Sequence, residues 1–170
     1  LTTNVSDAAG NAATVNTGTS FNYDRTPPSI SGAVAITGAG IQNNFLNASD
    51  PAGGDVVSAT VTFSEVVDKT GTPQLTLAVG SDNRTATYAS GTGNAPLVFT
   101  YTIQAGDNDT DGISIRANAL ALNSGSTIMD LAENNAILTH SAVSDNNSYM
   151  VDTEAPRVDN FTLSDTALKI

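Results

Sequence analysis

The densest run of potential metal ligands is Asp107-Asn108-Asp109-Thr110-Asp111-Gly112-Ile113, with carboxylates at alternate positions and a glycine directly after the third. Alternating oxygen donors closed by a flexible residue let a short loop wrap one hard cation such as calcium. The run matches the front half of an EF-hand loop, but its twelfth position is Asn118 instead of a bidentate glutamate. Further oxygens must then come from elsewhere, or the ion is held weakly. The same residues also suit an Asx-rich turn between two strands, since Asp and Asn side chains bond their own backbone.

Catalysis finds little support, and the chain does not read as an enzyme. The single histidine, His140, reads as a surface or strand-edge residue, and abundant hydroxyls without a positioned base do not make a triad. With no cysteine there is neither a disulfide nor a thiolate metal site. Carboxylate pairs are compatible with glycoside hydrolysis, yet no tryptophan and 5% aromatic residues leave few sugar-stacking platforms. Tyr88 and Tyr101 read as core. Six Lys and Arg against seventeen Asp and Glu give a net charge of −11, which repels nucleic-acid phosphates and anionic lipid. Apolar runs fall well short of the roughly 18 residues that cross a bilayer, so no membrane insertion is expected and the chain reads as soluble.

The elements that must position these acids are strands. Val57 to Ser64 alternates apolar and hydroxyl residues without a break, the period of a half-buried strand. Gln74 to Val79, Asn83 to Ala89 and Leu97 to Gln104 continue a four-strand meander, with turns at Gly80-Ser81-Asp82 and Gly91 to Asn94. Ile30 to Ile36, Ile113 to Ile115, Ala136 to Thr139 and Tyr149 to Val151 are shorter candidates, and Ala117 to Leu122 is the one candidate helical turn. The expectation is an all-β, Ig-like sandwich of seven to nine antiparallel strands. In the phase of Val57, Ala59, Val61 and Phe63, Glu65 falls on the core side. An inward carboxylate needs a cation, an arginine or backbone donors. Asp130, Asp152 and Glu154 are candidates to converge with Glu65 on a calcium at the module junction; the alternative is a Glu65 bonded to backbone N–H groups.

The sequence echoes itself. Asp7 and Asn11 match Asp130 and Asn134, and Asp24 and Pro28 match Asp152 and Pro156, the latter two pairs each 128 positions apart. Residues 25–152 then form one whole module, 1–24 the tail of a preceding repeat and 153–170 the start of a following one. A chain beginning at Leu1 reads as a piece of a longer polypeptide, with any targeting signal outside it. Pro27, Pro28 and Pro156 stiffen the junctions. The natural partners are neighbouring repeats of the same chain; cut free, the flanking pieces can pair head-to-tail or by swapping between molecules.

Several segments carry a resemblance. They are Val61-Thr62-Phe63-Ser64-Glu65-Val66-Val67, Gly71 to Leu77, Arg84 to Tyr88, Phe99-Thr100-Tyr101, Gln104 to Asp107 and Ala119 to Asn123, together with the Asp-x-Ala-x-Asn turn and the Val-Asp-Thr-x-Ala-Pro linker. They resemble the Ig-like tandem repeats of giant RTX-type, type I-secreted bacterial surface adhesins, and are similar to repeats of a cyanobacterial surface protein associated with swimming. The resemblance implies a secreted extender module, one of a calcium-stiffened array that carries a ligand-binding tip away from the cell. A calcium-dependent module binding a glycan or protein is the alternative; outward faces rich in Ser and Thr, with few large anchors, speak against it. The family's turn usually has glycine where Glu133 stands, and a requirement for positive φ there would cost about 1 kcal/mol.

Overall fold

The computed structural model describes residues 7–11, 23–48, 53–123 and 125–162. The element that organises them is β3, Val56–Thr70, whose even alternation buries Val57, Ala59, Val61 and Phe63 while their neighbours face out. β4 (Gln74–Val79), β5 (Asp82–Ser90) and β6 (Asn94–Thr102) follow as antiparallel hairpins. They join β1 (Ala35–Ala39), β8 (Leu120–Ala121) and β9 (Thr127–Met129) in a seven-stranded sheet of order β1-β3-β6-β5-β4-β8, with β9 also on β3. A second sheet of three short strands has the order β2-β10-β7, from Phe45–Leu46, Met150–Asp152 and Asn108–Asp109. Among the described residues there is no helix, and the architecture is the all-β sandwich that the alternation predicts.

One hydrophobic cluster joins the sheets. Val61, Leu75, Leu77, Leu97 and Phe99 of the large sheet pack with Leu46 and Val151 of the small one. Fully burying each leucine or phenylalanine contributes about 1.5–3 kcal/mol. Tyr88 closes one side, its ring edge-on to Phe99 at 6.2 Å between centroids.

The topology departs from a simple meander. β3 lies beside β6, with its neighbour in sequence β4 at the far side of β5, because alternation fixes which face of a strand is buried but not which strand sits next to it. Two strands of the small sheet, β2 and β10, run parallel. The expected strand from Ile30 to Ile36 is broken: Ile30 makes a single bridge to Phe63, Gly32 turns at φ 79°, and regular pairing starts at Ala35. The helical turn expected from Ala117 to Leu122 is absent. Asn118 adopts φ 57°, its side chain accepts the His140 N–H, and Leu120 pairs with Leu75.

Candidate metal centre

The inward phase of β3 reaches Glu65, which is half-buried, just where the pairing with β6 shifts register between Thr62 and Val67. β9 is held against the far end of β3 in the register Asp68↔Met129, so the next residue, Asp130, arrives at the stretch that carries Glu65. Asp130 is 5% exposed and fixed by its own turn. Its Oδ1 accepts the Ala132 and Asn134 N–H groups, both at 2.8 Å, and its Oδ2 accepts the Asn134 side-chain amide at 2.8 Å. That amide also reaches the Asp24 carbonyl oxygen at 3.3 Å, tying the Asp24 segment to the turn.

Asp24, Glu65 and Asp130 consequently present carboxylate oxygens within 4.8 Å of one another, in a cleft of about 520 Å³ completed by Val66, Leu131 and Ala132. They are the one set of three or more such acids that converges this closely among the described residues. The electrostatics are those of uncompensated negative charge. Glu65 is raised above its ordinary 4.5, by burial first and then by the charges of Asp24 and Asp130. Burial pushes Asp130 the same way, but the Asn134 and Ala132 donors outweigh it and hold its carboxyl below the usual range. Nearby Arg25 is turned to the Tyr23 ring, 4.9 Å from its centroid. The ion pairs among the described residues, Arg84 with Asp82 and Asp107 and Arg157 with Asp159, lie elsewhere. Oxygen ligands in a pocket where no ion pair from the described residues supplies a countercharge fit a hard divalent cation.

Two of the junction residues expected from sequence, Glu65 and Asp130, thus meet. Their companion is Asp24, which the sequence reading matched to Asp152 without giving it a role. The 128-residue repeat held the missing signal, since an acid assigned at one linker implies its counterpart at the other. Asp152 and Glu154 lie instead at the end of β10 beside β7, where Asp152 Oδ1 accepts the Glu154 N–H at 2.9 Å and Glu154 accepts a side-chain N–H of Asn108 at 3.4 Å. Asp24 makes the same turn as Asp152, accepting the Thr26 N–H at 2.9 Å.

The acids of the 107–111 loop face different neighbours. Asp107, 1% exposed, accepts Arg84 Nε and the Tyr101 hydroxyl, both at 2.6 Å, and the Gln104 N–H at 2.9 Å. Against the push of burial, these donors hold it low. Asp109 braces two backbone segments, taking the N–H groups of Gly80 and Gly112 at 2.7 Å each. Asp111 is exposed and raised, by its hydrogen bond with Asp109 and then by the charge of Asp145. Asn118 bonds to His140, whose Nε2 accepts the Ala119 N–H at 2.9 Å.

Compared with known proteins, the chain matches no family model, no curated protein and no solved structure. No helix among the described residues is long and apolar enough to cross a membrane.

Proposed function

We propose that this chain is an extender module of a large secreted bacterial surface adhesin, and that calcium bound by Asp24, Glu65 and Asp130 fastens each linker to the sandwich that follows it. The observation that carries this reading is the origin of the three ligands: Asp24 belongs to the linker, whereas Glu65 and Asp130 belong to the sandwich. An ion among them converts a hinge into a fixed joint, and its removal leaves three carboxylates repelling one another across that hinge. The recurrence of the Asp24 turn at Asp152 supports the same joint at the next junction, with its other ligands supplied by the next repeat. Function is then mechanical, with length coming from stacking and stiffness from calcium and proline.

Calorimetric titration with calcium, paired with melts in calcium and in EDTA, tests this. A native-state ligand at a hundredfold excess over Kd stabilises by about 2.7 kcal/mol, a shift of several degrees. Small-angle scattering on two or three linked modules should show a rod that loosens on chelation. Superimposable melts and a chelation-indifferent particle would reject the joint. The second reading, calcium-dependent recognition of a glycan or protein, is favoured by one observation: Leu131 is 78% exposed at the rim of the acidic cleft. Binding screens with and without EDTA separate the two.

A further inference from the structure

β1 is bonded to β3 along one edge, and among the described residues no strand occupies its other edge. A free edge is a row of backbone donors and acceptors that templates another strand, and folded proteins blunt such edges with charge, proline or bulges. β1 has none of these. Its sequence is Ala-Ile-Thr-Gly-Ala, and it pairs with β3 in unbroken register from Ala35↔Thr60 to Ala39↔Val56.

Its surroundings are equally bare. The stretch from Thr26 to Ser49 contains no charged residue, nor do the strand segments behind β1, residues 56–60 of β3 and 98–102 of β6. In a chain of net charge −11, this flank is where a second copy can approach without meeting like charge.

We propose that β1 is a lateral self-association edge, pairing antiparallel with β1 of a second copy to make one sheet continuous across both molecules. The second copy follows from symmetry. A strand laid antiparallel to itself uses the same edge on both sides and closes as an isologous dimer. Its position follows from the fold. β3 carries Glu65, beside the incoming linker, well beyond Val56–Thr60, where β1 pairs, and the outgoing linker is held by Asn108, which accepts the Thr153 N–H at 3.1 Å. Pairing through β1 uses the Ala35–Ala39 edge and leaves the cleft of Asp24, Glu65 and Asp130 uncovered, and a tandem array would join its neighbour side by side. One short strand pair is weak, but linked repeats multiply it through effective concentration. This goes beyond the extender reading and does not depend on the ion.

Sedimentation of the 170-residue chain in EDTA, from micromolar to millimolar concentration and at low and high salt, tests it. The expected result is a reversible dimer that persists without metal and tightens as salt screens the net charge. Ala35→Lys with Ala39→Lys, both exposed positions, should weaken the dimer by about tenfold or more. They should do so even though they reduce the net negative charge, and the melting curve should be retained. Thr37→Lys, at the exposed centre of the strand, provides a second variant. A monomer throughout, or a dimer indifferent to these lysines, would overturn the proposal.

Discussion

Glu133 adopts φ 65° at the position where its counterpart Gly10 adopts φ 82°, and the two turns share their hydrogen bonds. Asp7 and Asp130 each accept the backbone N–H groups two and four residues on, and each takes the side-chain amide of the closing asparagine at 2.8 Å. The conformation belongs to the turn, so the side chain at Glu133 bears its strain. Glu133→Gly should raise stability by about 0.5–1 kcal/mol, the left-handed penalty less the extra entropy glycine loses on folding. Denaturant melts at matched pH measure this, and a destabilised variant would show that the glutamate side chain has a role of its own.

Glu65→Gln should change sign with metal. In EDTA it removes one of three crowded charges and raises the melting temperature; in saturating calcium it removes a ligand and lowers the melting temperature relative to the parent. Asp130→Asn is a poorer probe, because its amide nitrogen replaces the Oδ2 that accepts the Asn134 side-chain amide and the change costs about 1 kcal/mol or more in either buffer. Paired melts of the Gln variant check the reversal, and a shift of one sign in both buffers would rule out a metal at this site.

The acids divide by pH. Glu65 and Asp111 are raised above their ordinary values of 4.5 and 3.8, so without metal the folded state holds their protons more tightly, and they remove stability as pH rises through that window. Asp107 and Asp130 are lowered from 3.8, so their contribution is present above that value and lost as pH falls below it. Stability in EDTA should consequently peak in mild acid and decline toward neutrality. Calcium should move the optimum upward, since the ion needs the ionised carboxylates. A series of melts across pH with and without calcium checks both limbs.

The buried Asp107 network sets the alkaline limit. Burial, followed by the hydrogen bond and charge of Asp107, pushes the Tyr101 phenol up to about 12 from 10.0. Tyr101 favours the folded state while protonated, and that contribution is lost as pH climbs through this interval. Ultraviolet titration should show a phenol ionising at about 12, and Tyr101→Phe should remove that step. Asp107→Ala leaves Arg84 with Asp82 alone and removes the acceptor of the Tyr101 hydroxyl and the Gln104 N–H, and should cost about 1–3 kcal/mol.

The burial pattern of β3 was readable because its two faces differ in chemistry at every residue, and the same alternation placed Glu65 on the inner side. Pairing was less readable: nothing in Val57 to Ser64 distinguishes β4 from β6 as its neighbour. The acidic loop was less readable for a related reason. Asp107, Asp109 and Asp111 look alike as spacing, whereas in space Asp107 turns to Arg84, Asp109 takes the Gly80 and Gly112 amides, and Asp111 bonds to Asp109 and faces the charge of Asp145. Arg84 lies 23 positions before its carboxylate, and only the completed sheet brings them together.

The parallel pairing of β2 with β10 bears on how the molecule meets tension. Load entering at the amino-terminal side meets the Asn134 bond to Asp24 and then Ser29, bridged in parallel to Ile137. Load at the other end reaches β10, which is bonded in parallel to Phe45 and Leu46. Opposed pulls on parallel strands act along their length and stretch the cross-links together, whereas a hairpin pulled from its open end yields one bond at a time. The fold therefore holds the outgoing end in shear against β2, while the incoming end rests on one parallel bridge and the antiparallel bridge of Ile30 to Phe63.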